Sequence, residues 1–158
     1  MTKRKVLLTG GSGLLATNWA CAMRTEWNVV LGTHLHPVKL DRVTCCQLDL
    51  DDEARLQAQI SQMAPDLIVH TAGLTDVDRC EADPRLATLV NAQLASNVAT
   101  IASRTECKLI HISTDHLFAG DRGLRTESDT PCPLNEYARS KFLGESLVQA
   151  VCSGALVV

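Results

Sequence analysis

The chain has 158 residues with a formal net charge of −3, 46% hydrophobic residues and only 3% aromatics. That is about one domain, with enough apolar content for a buried core. The charge makes no case for nucleic acid or an anionic membrane, the scarce aromatics leave no stacking platform for bases, and no apolar run approaches the ~18 residues of a membrane span.

Lys3-Arg4-Lys5 is a basic start, but glycine follows it instead of a long apolar region, so the opening segment reads as a strand and not a signal peptide. Apolar periodicity predicts strands at 5–9, 28–33, 43–48, 66–70 and 108–113, and a last one at 155–158. Helical patterns fall at 13–25, 51–63, 84–104 and 135–151. The helix from 51 opens on acidic residues, which the helix dipole favours, and Pro84 suits a first helical turn. Strands alternating with helices imply crossover units. The expected fold class is therefore α/β, a doubly wound parallel sheet in three α/β/α layers, which the glycine turn and Tyr/Lys pair described below make a Rossmann NAD(P)-binding fold. Residues 1–158 read as one such domain. The sequence stops inside a strand, and a parallel strand buried on both faces seldom marks a natural terminus, so a truncated product is expected.

Seven cysteines is an odd count, with no CxxC pair and no short Cys/His ligand spacing. They read as reduced, mostly buried thiols of a cytoplasmic protein without a metal site. Cys45 and Cys46 are adjacent in a strand and so point to opposite faces. Cys132, beside two prolines, reads as a loop residue that approaches a substrate or does nothing chemical. His70 and His111 end apolar strands and read as packed, hydrogen-bonded residues.

Gly10, Gly13 and Ala16 form G-x-x-G-x-x-A between a strand and a helix. One small residue permits the tight turn, the next lets the backbone approach a pyrophosphate, and the third lets helix and strand pack closely. The helix N-terminus offers unpaired N–H groups to the phosphates, and Ser12 adds a hydroxyl. The alternative is an ordinary β–α turn without a ligand. After the second strand, 32–39 carries no carboxylate but holds His34, His36 and Lys39. That pattern leans towards NADP over NAD, because a basic residue suits a 2′-phosphate where an acidic one would accept from the ribose hydroxyl. Asp49 and Leu50 follow the third strand; they border the adenine, or Asp49 caps the next helix.

Ser113-Thr114-Asp115 ends the fifth strand at the edge where open α/β sheets bind ligands. Tyr137 and Lys141 stand four apart on a helix, hence on one face. A free phenol is a poor acid near neutrality, and a lysine ammonium alongside favours its ionised form. Tyr137 can then exchange a proton with a carbonyl oxygen that Thr114 holds, while Lys141 also reaches a nicotinamide ribose. Turn and Tyr/Lys pair together describe a nicotinamide-dependent oxidoreductase.

These residues, with Thr75-Asp76-Val77-Asp78-Arg79-Cys80-Glu81, Val90-Asn91, 113–120 and 133–145, resemble the extended short-chain dehydrogenase/reductases. Within that superfamily the chain is similar to the RmlD-like group, the dTDP-4-dehydrorhamnose reductases. The resemblance implies a catalytic triad of Thr114, Tyr137 and Lys141. It implies a cofactor site lined by Gly10, Ser12, Gly13, Leu14, Asp49, Leu50, Ala72, Gly73 and Thr75, with Asn91 steadying the active-site backbone. It further implies a nucleotide-sugar substrate reduced at a 4-keto group, and leaves room for a homodimer. Asp115 is followed by His116 where dehydratases carry Asp-Glu, which argues against dehydration. A non-catalytic dinucleotide-binding regulatory subunit and an NAD-retaining epimerase are the alternative members. The sequence departs from the group at Ala16 in place of the third glycine, at His116 in place of tyrosine, and at His70-Thr71 in place of Asn-Ala. Members of the group run to nearly twice this length, so a substrate-binding C-terminal part is expected to be largely missing.

Overall fold

A computed structural model describes residues 3–158. Strands β1 (Lys5–Thr9), β2 (Asn28–Thr33), β3 (Thr44–Gln47), β4 (Leu67–His70), β5 (Lys108–His111) and β6 (Leu156–Val157) form one sheet in the order β3-β2-β1-β4-β5-β6. Every neighbouring pair is parallel. Chain order runs outward from β1 to β3 and then returns to β4 on the other side of β1. That reversal opens a crevice at the carboxyl ends of β1 and β4, the place where such sheets take ligands.

The strand period of two divides the apolar residues between the two sheet faces. Val6, Leu8, Val29, Leu31 and Val69 pack with Ala16 and Ala20 of α1 (Leu14–Met23). Leu7, Val30, Ile68 and Leu109 pack on the opposite face against α2 (Glu53–Met63), α5 (Leu94–Arg104) and α6 (Glu136–Val151). The sheet thus lies between helices, as the three-layer expectation requires. Cys45 packs with the first cluster and Cys46 with the second.

Short polar side chains start the helices. Asp52 accepts from the Arg55 amide at the head of α2, and Asn135 from the Ala138 amide at the head of α6. Asp76 and Asp83 do the same for two short helices, α3 (Val77–Ala82) and α4 (Pro84–Thr88). Helix α3 lies in a segment for which the apolar pattern predicts no element. The single helix expected over 84–104 is α4 and α5 joined by a π turn at Leu89–Gln93. No helix among the described residues is long and apolar enough to cross a membrane.

The π turn brings the Asn91 backbone against α6 at Gly144. A Cβ on Gly144 would collide with the Asn91 carbonyl oxygen, a backbone atom that cannot swing away. Gly144→Ala is therefore expected to lower stability by about 2 kcal/mol, read as a lower urea midpoint with an unchanged slope.

Candidate functional site

The glycine turn is built for close approach. Gly10 has φ +68°, and a Cβ there would stand 2.8 Å from the Ala72 nitrogen, so geometry and space both require glycine. The Gly11 amide donates to the Gly32 carbonyl at 2.9 Å and the Gly13 amide to the Gly10 carbonyl at 2.8 Å, which fixes the turn between β1 and α1 against the end of β2. Gly13 opens α1 with no side-chain cap, and Ser12, Gly13 and Leu14 are exposed. Exposed amides at a helix start beside a cleft fit a pyrophosphate. Ala16 is fully buried against the sheet, which explains why alanine serves in the third position.

Polar side chains tie the end of β4 to this turn. The Thr71 hydroxyl donates to the Thr9 carbonyl at 2.7 Å, and the Thr71 amide donates to the Thr9 hydroxyl at 3.2 Å. This holds Ala72 against Gly10; Thr75 is exposed further along the loop, and Gly73 follows Ala72. Asn91, 1% exposed, grips the next residue: its Oδ1 accepts from the Leu74 amide at 2.7 Å and its Nδ2 donates to the Leu74 carbonyl at 3.0 Å. The same Nδ2 lies 3.0 Å from the Ser140 hydroxyl on α6.

At the end of β2 the sequence shows no carboxylate, but the fold supplies one. Asp51 comes within 3.2 Å of His34 Nε2 from the connection into α2. The two alternatives for Asp49 narrow as well: Asp52, not Asp49, caps α2. The Asp49 amide donates to Gln59 Oε1, and its carboxylate lies 3.9 Å from Arg55. Leu50 is half-buried against the core. A cavity of about 200 Å³ opens here, lined by Thr33, His34, Pro37, Val38, Cys46 and Gln47 among others.

Helix α6 carries the Tyr/Lys pair to the end of β5. Lys141, 6% exposed, donates from Nζ to the Ile112 carbonyl at 2.5 Å. Tyr137, 9% exposed, meets the His116 ring edge-on at 5.6 Å. These contacts fall two residues before and two residues after Thr114, whose hydroxyl accepts from the His116 amide. Burial lowers the Lys141 ammonium to about 8, with Glu145 opposing the shift. Cys132 is exposed, its amide donating to the Leu117 carbonyl at 2.7 Å. Among the described residues, no group of three His, Cys, Asp or Glu side chains gathers to hold a metal.

Beneath this pair lies a buried polar layer. His70 and His111 are register partners on β4 and β5 and stack with centroids 5.4 Å apart. Burial pushes His70 well below its usual range, with His111 and Lys141 adding to the effect. It pushes His111 down to about 3, with the Lys141 charge contributing. Both rings are therefore neutral. His70 Nδ1 meets the Thr9 hydroxyl at 2.8 Å, as expected of a hydrogen-bonded core histidine. Among the described residues, His70 Nε2, both His111 nitrogens and the Ser113 hydroxyl have no hydrogen-bond partner, which corrects the expectation that both histidines are fully hydrogen-bonded. Residue-by-residue reading also misses Asp51, whose proximity to His34 leaves no spacing signal.

A six-stranded parallel sheet in this order, with a glycine turn at its switch point, defines a Rossmann fold. The chain belongs to the family described as the RmlD substrate binding domain, whose model matches residues 4–158. It is 34% identical over 152 residues to the probable low-salt glycan biosynthesis reductase Agl14 of Haloferax volcanii, covering 96% of this chain and 51% of that protein. It is equally 34% identical over 156 residues to methionine adenosyltransferase 2 subunit beta of Xenopus laevis, covering 98% and 46%. Among solved structures, dTDP-4-dehydrorhamnose reductase from Bacillus anthracis, in complex with NADP, superposes with a TM-score of 0.85 at 28% identity, covering 99% of this chain and 53% of that one. The chain spans about half the length of these relatives.

The neutral histidine pair sets an acid limit. Once unfolded, an imidazole protonates near pH 6.5, whereas these two resist protonation in the fold. Their contribution to stability is complete above about pH 6.5 and is lost as pH falls towards the His111 value of about 3. Urea midpoints measured between about pH 7 and pH 4 should fall more steeply for the native chain than for His111→Phe, which keeps an aromatic ring and removes one titrating group.

Proposed function

We propose that this chain is the cofactor-binding and catalytic part of a reductase acting on the 4-keto group of a nucleotide-linked sugar. One observation carries the reading: the Lys141 and Tyr137 contacts, to Ile112 and His116, bracket Thr114 just past the carboxyl end of β5. The names of the Haloferax and Bacillus relatives, both reductases, support it.

The residues present fit a nicotinamide dinucleotide. Gly10, Ser12, Gly13 and Leu14 would face the pyrophosphate; Asp49 and Leu50 the adenine; Ala72, Gly73 and Thr75 the nicotinamide side. The crowding at Gly10 and the free amides of α1 are what make that fit. The bound cofactor supplies hydride to the carbonyl carbon. Thr114 holds the carbonyl oxygen by a hydrogen bond, and Tyr137 delivers a proton to it. Lys141 stabilises the phenolate that remains, and at a value of about 8 it is still charged at neutral pH. Its carbonyl partner, Ile112, holds the ammonium in place.

The preference for NADP over NAD rests on His34, with His36 and Lys39 near it. Asp51, 3.2 Å from His34, opposes a 2′-phosphate, so the preference is expected to be modest. A second reading follows from the likeness to a methionine adenosyltransferase subunit: a dinucleotide-binding subunit that turns nothing over.

Two measurements test these readings. Calorimetric titration of the chain with NADPH and, in parallel, NADH should give saturable binding of both, tighter for NADPH; a clear preference for NADH overturns the His34 assignment. In the full-length protein, Tyr137→Phe should abolish reduction of a dTDP-4-keto sugar and leave cofactor affinity nearly unchanged. Equal loss of both would remove Tyr137 as the proton donor, and no turnover by the native protein with cofactor bound would favour the subunit reading.

A further inference from the structure

Tyr137 is the second residue of α6, in a turn that ordinarily frays. A proton donor there needs the turn held in place, and the local cap is only half of what holds it. Asn135 serves the Ala138 amide at 2.8 Å. The Glu136 amide, one residue before Tyr137, points the other way along the chain's order: it donates to Glu81 Oε1 at 2.7 Å, across 55 residues of sequence. Glu81 belongs to α3, the short helix that the apolar pattern does not reveal.

Helix α3 has a second hold on the same tyrosine. Tyr137 packs with Cys80, the neighbour of Glu81, and with Ala87 of α4, while Leu74 and Val77 close the cluster. The Cys80 thiol in turn donates to the Leu74 carbonyl at 3.5 Å, on the loop that Asn91 grips. Glu136 itself pairs with Arg139 at 2.6 Å, so its side chain is engaged while its amide is given to Glu81. An acidic oxygen at a helix start also meets the positive end of the helix dipole.

We propose that Glu81 is a positioning residue for Tyr137, clamping the first turn of α6 from α3 so that the phenol ring is held against His116, two residues past Thr114. The inference deepens the catalytic reading of Tyr137 and rests on it for its purpose. Its test does not use turnover, so failure of one is distinguishable from failure of the other. It also gives the segment 75–81 a physical role: Asp76 caps α3, Cys80 packs on the phenol, and Glu81 caps α6.

The chain has a single tyrosine, so the 3-nitrotyrosine formed by tetranitromethane, followed in the peptide that carries it and apart from oxidation of the seven thiols, reports on Tyr137 alone. Glu81→Ala is expected to speed nitration of Tyr137 and exchange of the Glu136 and Ala138 amides by roughly tenfold, the usual effect of a lost cap. Exchange of the Val148 amide, deeper in α6, should stay at its native rate. Glu81→Gln retains an acceptor oxygen and should restore near-native rates. Glu136→Pro removes the donor instead; proline suits the first position of a helix, and Asn135 before it is already extended at φ −134°, ψ 168°. This variant should reproduce Glu81→Ala in nitration and Ala138 exchange, and the double variant should be no faster than either single one. Native rates in Glu81→Ala, acceleration spread through Val148, no rescue by glutamine, or additive single effects would each overturn the proposal. Should Glu81→Ala fail to fold, the Glu136→Pro comparison with native protein decides it alone.

Discussion

Asn91 is the point on which the site's geometry hangs. Its amide is buried, and both ends are used: the oxygen takes the Leu74 amide, and the nitrogen serves the Leu74 carbonyl and lies beside the Ser140 hydroxyl. Its own carbonyl lies where Gly144 leaves room for it. One residue thus ties the loop after β4, the π turn and α6 together. Losing it would leave buried donors and acceptors without partners, each costing about 1–3 kcal/mol. A helix packed only by apolar contacts could slide or rotate over the sheet; these directional bonds set the height of α6, and so of Tyr137 and Lys141, over the ends of β4 and β5. The π turn matters for the same reason. Its extra residue turns Asn91 out of the regular helical succession and into the loop, in keeping with the frequent use of such bulges at functional sites.

Below the site, charge is kept to a single group. His70 and His111 are stacked, buried and neutral, while Lys141 above them holds its proton against burial. The three pKa directions share one cause, the loss of water, and the nearby ammonium further suppresses protonation of the imidazoles. The result is a low-dielectric floor on which one cation acts strongly at close range. It also leaves four polar atoms on His70, His111 and Ser113 without a partner among the described residues, next to the candidate catalytic group.

Much of this was legible from residue order because the relevant contacts are local. The glycine turn places its small residues within one bend, and Tyr137 and Lys141 share one face of α6 because helical geometry aligns residues four apart. The parallel sheet follows from alternating strands and helices, and Asn91 stood out through family likeness. What escaped was either short or distant. Helix α3 has six residues, too few for a helical period to show. The π turn keeps a helix-like apolar pattern while adding a residue, so 84–104 reads as one helix. Asp51 meets His34, and Glu81 meets Glu136, only because the fold juxtaposes separate segments. The unpaired histidine nitrogens likewise appear only once register places two rings side by side.

Lys141 has an implication for how such a protein would change over generations. An ammonium lowered to about 8 by burial is a group the folded state tolerates rather than welcomes. An apolar side chain of similar length in that position would raise stability and forfeit the charge next to Tyr137. A lineage released from the demand for turnover would therefore drift towards methionine or leucine there, gaining robustness as it lost chemistry. On the proposed reading, Lys141 is thus the residue to compare first when sorting working reductases of this family from relatives kept only as binding partners.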